Sequence, residues 1–199
     1  MNKTKLVNLS TNGFDYYSVI YKLCDGSIIN VHINDTCGQE RYNSIWEKYY
    51  KKADGILLVY DISSKPSFEK IANYYVEKIR DNCKKGIPII LLGNKTDLED
   101  KREVTKEEAI DLSISQEFIF KESSCLKDEN VADAFETIFE MWNINNKKNF
   151  LTPKENNEEK DINENKSSFS LSTKDFKNKK TTVKKSKKIS ILLIFFKKI

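Results

Sequence analysis

Histidine is almost absent from this sequence, and cysteine is sparse and scattered. The chain has one His, His32, and four Cys, and no two of the cysteines form a Cys-x-x-Cys pair. A zinc site made from Cys and His needs about four such ligands at short spacings, so the usual zinc motifs are excluded. Isolated cysteines without a paired framework are typical of reduced thiols. We therefore predict free cysteines in a cytoplasmic protein.

The sequence also has no apolar run long enough to cross a membrane as a helix. Residues 1–13 are polar, which is not the pattern of a secretory signal. Residues 189–196 form an apolar run of eight residues, whereas a membrane-spanning helix needs about twenty. No internal repeat is evident.

Length and composition favour one globular domain with an appendage. The chain has 199 residues, of which 39% are hydrophobic, and a formal net charge of +4. Near residue 147 the composition changes to a mixture of Lys, Glu, Asn and Ser, which buries too little apolar surface to offset the entropy of ordering. We predict a domain at residues 1–146, a disordered linker with a polybasic end at residues 147–188, and a short apolar segment at residues 189–199.

Two strands joined by a tight turn are predicted near the start of the domain. They cover residues 14–23 and 27–35, and the turn is the dipeptide Asp25-Gly26. In the second strand Ile29, Val31 and Ile33 alternate with polar residues, so one face of that strand is expected to be buried.

The rest of the domain alternates strands with helices. Unbroken apolar runs at residues 55–62 and 87–94 are typical of parallel strands that are covered on both faces. Residues 118–122 predict a short strand. Helices are predicted at residues 67–84, at 105–115, where Thr105 and Glu108 fit a capping box, and at 131–142. This order indicates a parallel α/β sheet, whose ligands bind at the carboxyl ends of the strands.

The first polar segment at a predicted strand end contains Asp35, Gly38 and Gln39. A carboxylate that ends a strand can hold Mg²⁺ through a water, and a glycine after it lets a backbone N–H approach a phosphate. A glutamine beyond that glycine can orient an attacking water. Taken alone, the segment also fits a simple turn with a solvated Gln side chain.

Two further segments follow the later strands. Asp97 can accept two hydrogen bonds from the N1–H and amine of guanine, which adenine does not offer, and the aliphatic stem of Lys95 can cover one face of the base. The loop at residues 122–125 can present backbone N–H groups to the purine O6. Each segment alone also fits a polar loop.

Together, in their order and context, these segments resemble the Ras superfamily of small GTPases, and within it the Rab branch. Residues 11–16, Thr-Asn-Gly-Phe-Asp-Tyr, are similar to the Rab switch I sequence Thr-Ile-Gly-Val-Asp-Phe. Other landmarks are Asn-Asp-Thr-Cys-Gly-Gln-Glu-Arg-Tyr-Asn-Ser-Ile at residues 34–45, Tyr-Tyr-Lys-Lys-Ala at 49–53, Leu-Leu-Val-Tyr-Asp-Ile at 57–62, Asn-Lys-Thr-Asp at 94–97 and Glu-Ser-Ser-Cys at 122–125.

The resemblance implies a set of roles around GTP or GDP and Mg²⁺. It implies that Gln39 positions the hydrolytic water and is the catalytic residue, and that Gly38 contacts the γ-phosphate. It implies Thr11 as the switch I ligand of Mg²⁺ and Asp35 as the acid of its second sphere. The residues expected around guanine are Asn94, Lys95, Asp97, Ser124 and Cys125.

The function implied is a monomeric GTP-binding and GTP-hydrolysing switch of vesicle traffic. Effectors and regulators would contact residues 11–16 and 38–50. A binding module that keeps these surfaces but holds no nucleotide is the alternative. Guanine nucleotide that copurifies with the chain would favour the switch.

The 199 residues contain no Gly-x-x-x-x-Gly-Lys-[Ser/Thr] loop, because none of the six glycines is followed by Lys. The expected fold is therefore a three-layer P-loop GTPase fold that lacks its first strand, P-loop and first helix. In the family that strand lies between the strand ending at Asp35 and the strand at residues 55–62. We expect its absence to leave unpaired strand edges, to uncover part of the helix at residues 131–142, and to make the chain unstable or rearranged. Losing several phosphate contacts could exceed about 5 kcal/mol, which weakens binding thousands-fold.

Smaller departures from the family concern partners and the tail. Asn34 stands where Rabs carry Trp, which puts effector recognition in doubt, while Cys37 replaces Ala and Leu126 replaces Lys. No Cys follows Cys125, so we expect no prenylation. The basic and apolar residues 177–196 could lie on an anionic membrane surface on the cytosolic face of endomembranes, or form a solvated tail. Nucleic acid is not expected as a partner, because no aromatic residues interleave the lysines.

Overall fold

A computed structural model describes residues 7–11, 14–37, 43–151 and 187–195, which form one seven-stranded sheet with helices on both faces. The strand order is β1-β2-β3-β7-β4-β5-β6. The strands are β1 (Val7–Thr11), β2 (Phe14–Lys22), β3 (Ile28–Cys37), β4 (Gly55–Asp61), β5 (Ile89–Asn94), β6 (Ile119–Ser123) and β7 (Lys187–Phe195). The helices are α1 (Asn43–Lys52), α2 (Lys65–Lys70), α3 (Val76–Asn82), α4 (Lys106–Gln116) and α5 (Val131–Leu151).

The predicted hairpin of β2 and β3 is confirmed. The two strands pair antiparallel from Phe14 opposite Thr36 to Lys22 opposite Ile28. Gly26 in the turn has a φ of +81°, a conformation that glycine adopts at little steric cost. The strand β1, which continues the antiparallel arrangement beyond β2, was not predicted.

The predicted parallel strands and their helices are also confirmed, with shifts at the ends. Strands β4, β5 and β6 pair parallel, and every residue of β4 before Asp61 is buried. The helix predicted at residues 67–84 is α2 and α3, joined by a π-helical turn at Ile71–Tyr75. Helix α4 begins with the predicted capping box, in which Thr105 and Glu108 each accept a hydrogen bond from the other's backbone N–H.

Two apolar cores lie on opposite faces of the sheet, which gives the predicted three-layer α/β architecture. Helix α5 covers one core with Ala134, Ile138 and Trp142, which pack on β3, β4, β5 and β7. The other core is covered by α1, α2, α3 and α4. The fold of a small G domain predicted from the sequence is therefore confirmed in its class.

The centre of the sheet corrects the prediction of unpaired edges. Strand β7 lies between β3 and β4 and is parallel to both, from Ile29 opposite Lys187 to Cys37 opposite Phe195 on one side. Ile189, Ile191, Leu192 and Ile194 are each no more than 2% exposed. The reason is that this run is apolar on both faces, so that its side chains fill both cores at once. A segment lying on a membrane surface would need only one apolar face. The apolar half of the suggested membrane segment is thus buried within the domain.

Two predicted boundaries also move. Helix α5 runs to Leu151, past the predicted end of the domain at residue 146, and β7 makes the C-terminal segment part of the domain. Asn145 and Asn146 add side-chain hydrogen bonds to the carbonyls of Gly86 and Trp142, which extend the ordered helix. The part of the predicted disordered linker at residues 152–186 lies outside the described residues.

The expected gap over α5 at the place of the missing strand is filled by β7, and the groove that the structure shows lies at another edge of that helix. A groove of about 710 Å³ lies between β2 and α5. Its apolar lining includes Val19, Tyr21, Ile33, Phe135 and Phe139. The exposed Ile20 stands at its edge with 68% of its surface accessible.

Tyr60 provides a test of the core. Its side chain is 1% exposed, and its hydroxyl has no hydrogen-bond partner among the described residues. We expect Tyr60→Phe to raise the free energy of unfolding by about 1 kcal/mol, because the variant no longer buries an unpaired hydroxyl. Chemical denaturation measures this change. The control is Tyr21→Phe, which removes a hydroxyl from a side chain that is only partly buried and should not stabilise. A Tyr60→Phe variant less stable than the parent would contradict the prediction.

Candidate functional site

The carboxyl ends of three parallel strands meet at one edge of the sheet. Asp61 at the end of β4 is in register with Asn94 at the end of β5, and Asn94 is in register with Ser123 at the end of β6. Apolar strands that are covered on both faces bring their polar terminal residues together at such an edge. The residues predicted to surround a guanine base lie at the end of β5 and in the loops after β5 and β6.

Asn94 ties two of these loops together. Its side chain is buried, and its Oδ1 accepts hydrogen bonds from the backbone N–H of Cys125 at 3.1 Å and from the hydroxyl of Ser123 at 3.3 Å. A buried amide with several partners fixes the relative position of the segments that supply them. Asn94 therefore positions the loop after β6 against the end of β5.

Asp97 and Ser124, which the sequence analysis assigned to the same base, are in direct contact. The hydroxyl of Ser124 donates a hydrogen bond to Oδ1 of Asp97 and accepts one from the backbone N–H of Lys127 at 3.1 Å. Ser124 is fully buried, whereas Asp97 is partly exposed. The serine thus holds the carboxylate of Asp97 at the mouth of the site, where the carboxylate can still accept hydrogen bonds from a ligand.

Lys95 pairs with an acidic residue that the sequence analysis did not select. Lys95 has a left-handed backbone with a φ of 70°, and its Nζ lies 2.5 Å from Oδ2 of Asp61. Partial burial opposes ionisation of Asp61, but hydrogen bonds from Lys95 and Ser63 hold its pKa below the usual range. The available signal was its position, because Asp61 ends an apolar strand beside the one that precedes Asn94.

The other predicted residues lie apart from this cluster. Asp35 lies in β3, and β7 and β4 separate it from β5. Three strand spacings amount to about 14 Å across the sheet, so Asp35 and Asn94 can act on one ligand only if that ligand is elongated. Gly38 and Gln39 lie outside the described residues.

Strand β2 lies between the two residues predicted to hold magnesium. Thr11 is the last residue of β1 and pairs with Phe14 of β2, which pairs with Thr36 of β3, next to Asp35. Two strand spacings are about 10 Å, so Thr11 and Asp35 could share one ion only if a water lies between the ion and Asp35, which is the second-sphere role expected for that residue. Over the described ranges, no group of three His, Cys, Asp or Glu could hold a metal.

Comparisons with known proteins show the family to which the chain is similar. The profile of the Ras family matches residues 2–144. Ras-related protein Rab11D of Nicotiana tabacum is 38% identical over 149 residues, which are 74% of this chain and 66% of that protein. Ras-related protein Rab-13 of Canis lupus familiaris is 41% identical over 130 residues, or 65% of this chain and 63% of that protein. Ras-related protein Rab-8B of Homo sapiens is 39% identical over 143 residues, or 71% of this chain and 68% of that protein.

The chain belongs to the Ras family. Its similarity to these Rab-named proteins places it in the Rab branch of the small GTPases. The chain spans somewhat less than two thirds of the length of Rab11D and Rab-13. In the part of the chain that the structure describes, no helix is both long and apolar enough to cross a bilayer.

Proposed function

We propose that this chain is a Rab-type switch that binds guanine nucleotides at the carboxyl ends of β5 and β6. The observation that carries the proposal is the hydrogen-bonded cluster of Asn94, Asp97 and Ser124, which joins two loops around one carboxylate. Family membership gives the cluster its ligand class, because binding of guanine nucleotides is common to the Ras family. The alternative of an interaction module without nucleotide is not favoured by the similarity to Rab proteins.

Guanine recognition follows from the acceptor and donor groups of the cluster. The carboxylate of Asp97 is an acceptor that matches the N1–H and amine of guanine, and Ser124 fixes its orientation. The backbone N–H of Cys125 donates its hydrogen bond to Asn94. It would have to bifurcate or break this bond before it could donate to the purine O6. The aliphatic stem of Lys95 would cover one face of the base. For this its ammonium group would either break its ion pair with Asp61 or keep it while the stem turns toward the base.

The phosphate end of the ligand is expected on the β3 side of the sheet edge. The hydroxyl of Thr11 and the carboxylate of Asp35 are oxygen ligands of the kind that Mg²⁺ prefers. Bound Mg²⁺ would neutralise charge on the phosphates, and Gln39 after Gly38 would orient the water that attacks GTP. Effectors and regulators would bind at residues 11–16 and 38–50, where the family changes shape between its two nucleotide states.

The proposed setting is the cytosolic face of endomembranes, where the switch would act in vesicle transport. Lys187 and Lys188 at the start of β7 are exposed and continue the basic residues that begin at residue 177. Such a basic stretch is attracted to anionic lipid headgroups, and each lysine near the surface contributes about 1 kcal/mol.

Protection of Cys125 from alkylation tests the site. Cys125 is exposed beside Ser124, and Cys24 is exposed at the β2–β3 turn. We expect GDP with Mg²⁺ to slow alkylation of Cys125 at least about fivefold, because a bound base excludes the reagent. Mass spectrometry of each labelled cysteine measures the rates, and chromatography of the denatured protein detects copurified nucleotide.

The internal controls are the other thiols and the other base. Cys24 should react at the same rate with and without GDP, and ATP should not protect Cys125. Cys83 should stay nearly unreactive throughout, because burial raises the pKa of its thiol to about 12. A folded chain that carries no guanine nucleotide and shows no protection of Cys125 would instead favour the interaction module.

A further inference from the structure

Strand β7 is joined to the rest of the fold differently from the other strands of the sheet. Residues 152–186 separate the end of α5 at Leu151 from Lys187, and this stretch is rich in Lys, Asn, Glu and Ser. Every contact of β7 with β3 and β4 is non-covalent. The strand can therefore be treated as a ligand that binds to the sheet while residues 152–186 link it to α5.

The slot between β3 and β4 offers an extended apolar segment two backbone ladders and two sets of apolar contacts. One ladder runs along β3 and the other along β4. Ile189 and Ile191 pack toward α5, while Leu192 and Ile194 pack into the opposite core. Main-chain hydrogen bonds on both sides supply affinity for any extended chain, and the apolar contacts select its alternating side chains.

Two polar residues bind the strand at Ser190, and one of them contacts its hydroxyl. The amide of Asn34 is 5% exposed, and its Nδ2 donates to Oγ of Ser190 at 3.1 Å and to the carbonyl of Ile191 at 3.2 Å. Asp54 accepts from the N–H of Ser190 at 3.0 Å, and its own N–H donates to the Ser190 carbonyl at 2.7 Å. Lys84 pairs with the second carboxylate oxygen of Asp54 at 3.1 Å.

These contacts fix the register of β7. A shift by one residue would turn each side chain of β7 into the opposite core and would take the hydroxyl of Ser190 away from Asn34. A shift by two residues would bring Lys188 or Leu192 to the place of Ser190 and leave the buried amide of Asn34 with fewer partners. Asn34 is the residue that stands where Rabs carry Trp, so this departure from the family has a structural role here.

We propose that the slot between β3 and β4 is a sequence-selective strand-binding site and that residues 187–195 of this chain are its releasable ligand. Asn34 selects Ser190 within the apolar pattern, and Asp54 holds the backbone on either side of that serine. The segment leaves and returns while the flanking strands stay folded. This inference is independent of the proposed nucleotide function.

Hydrogen exchange of the intact 199-residue chain tests release. We expect the amides of β7 to exchange at least about tenfold faster than those of β5, because β7 opens without global unfolding. β5 is the matched reference, since it is also a buried parallel strand with neighbours on both sides. Equal rates in β7 and β5 would overturn the proposal, because they would show that β7 opens only with the whole sheet.

Peptide exchange tests selectivity. A site-specific protease sequence placed within residues 152–186 allows the folded chain to be cut, and a fluorescent peptide of residues 187–199 is then added. We expect the peptide to replace the cut segment, and a Ser190→Val peptide to bind at least about tenfold more weakly. In an Asn34→Val chain that preference should fall below about threefold, since the amide that selects serine is gone.

Three results would overturn the selective site. In the first, the cut segment dissociates, the remaining chain stays folded, and the added peptide does not bind. In the second, the parent and Ser190→Val peptides bind equally well. In the third, the Asn34→Val chain keeps the full preference for the serine peptide. If the cut chain aggregates, hydrogen exchange of the uncut chains gives the same comparison. Ser190→Val should then accelerate exchange of β7 in the parent but not in the Asn34→Val background, and equal acceleration in both would overturn the selectivity.

Discussion

Replacing Ile191 by aspartate is expected to expel β7 from the slot between β3 and β4 and to lower the stability of the complete seven-stranded sheet by at least about 4 kcal/mol. Ile191 is fully buried in the middle of β7, where its side chain packs against Ile138 of α5 and lies over Gly55 of β4. A carboxylate there must be buried without a partner or be protonated, and either outcome consumes a large part of a typical free energy of unfolding of about 5–15 kcal/mol. Thermal and chemical denaturation followed by circular dichroism measure the change.

The matched control carries the same substitution at an exposed isoleucine on another strand. Ile20 in β2 is 68% exposed, so Ile20→Asp should change the free energy of unfolding by no more than about 0.5–1 kcal/mol. The comparison isolates burial, because charge, side-chain size and strand propensity change equally in both variants. Equal stability of the two variants would contradict the central position of β7.

Replacing Asp97 by asparagine is expected to exchange guanine for xanthine as the preferred base. The amide keeps the size of the carboxylate but presents a donor where guanine also presents donors, whereas xanthine offers an oxygen at that position. We expect GDP affinity to fall at least about 100-fold, or about 2.7 kcal/mol, and affinity for the xanthosine nucleotide to rise. Competition against a fluorescent nucleotide measures both affinities.

The matched control for this variant lies in the same short 3-10 helix, Thr96–Lys101. Asp100 is exposed, and Asp100→Asn removes the same charge three residues further along the chain. Its nucleotide affinities should stay within about twofold of those of the parent chain, since the charge is solvated. An Asp97→Asn chain that keeps its preference for guanine over xanthine would contradict the assignment of Asp97 to the base.

The elements that could be predicted from the sequence are those whose stability is local or whose pattern has one interpretation. The turn at Asp25-Gly26 fixes a hairpin because Gly26 adopts the positive φ that the turn needs. Thr105 and Glu108 mark the start of α4 because their mutual hydrogen bonds involve residues three apart. The unbroken apolar runs of β4 and β5 fit strands that are covered on both faces.

Strand β7 was not predicted because its pattern has two interpretations. An apolar run of eight residues next to a lysine-rich stretch fits an amphipathic membrane contact as well as a buried strand. The deciding factor is that β3 and β4, which are distant from β7 in the sequence, leave a place for a strand between them. Local sequence patterns carry no information on that place. The buried pairing of Asn34 with Ser190 shows the same limit, since neither residue alone indicates a partner.

The candidate site was predictable where one ligand class requires several residues at once. Asn94, Asp97, Ser124 and Cys125 were selected together, and the structure joins them by hydrogen bonds. Asp61 was not predicted because in the sequence it is an ordinary end of an apolar strand. Its ion pair with Lys95 depends on the left-handed backbone of Lys95, which the sequence does not indicate. The roles of all these residues at a nucleotide remain predictions that the experiments above test.

The place of β7 in chain order has a consequence for biosynthesis. Domains commonly fold from the N-terminus while translation continues. In this protein β3 and β4 must wait for residues 187–195 before they acquire their shared neighbour, and contacts between such distant segments form slowly. The nascent polypeptide will therefore expose two open strand edges until that late segment has been made, which is the condition under which molecular chaperones bind. A premature stop anywhere before Lys187 would remove the innermost strand rather than a dispensable end.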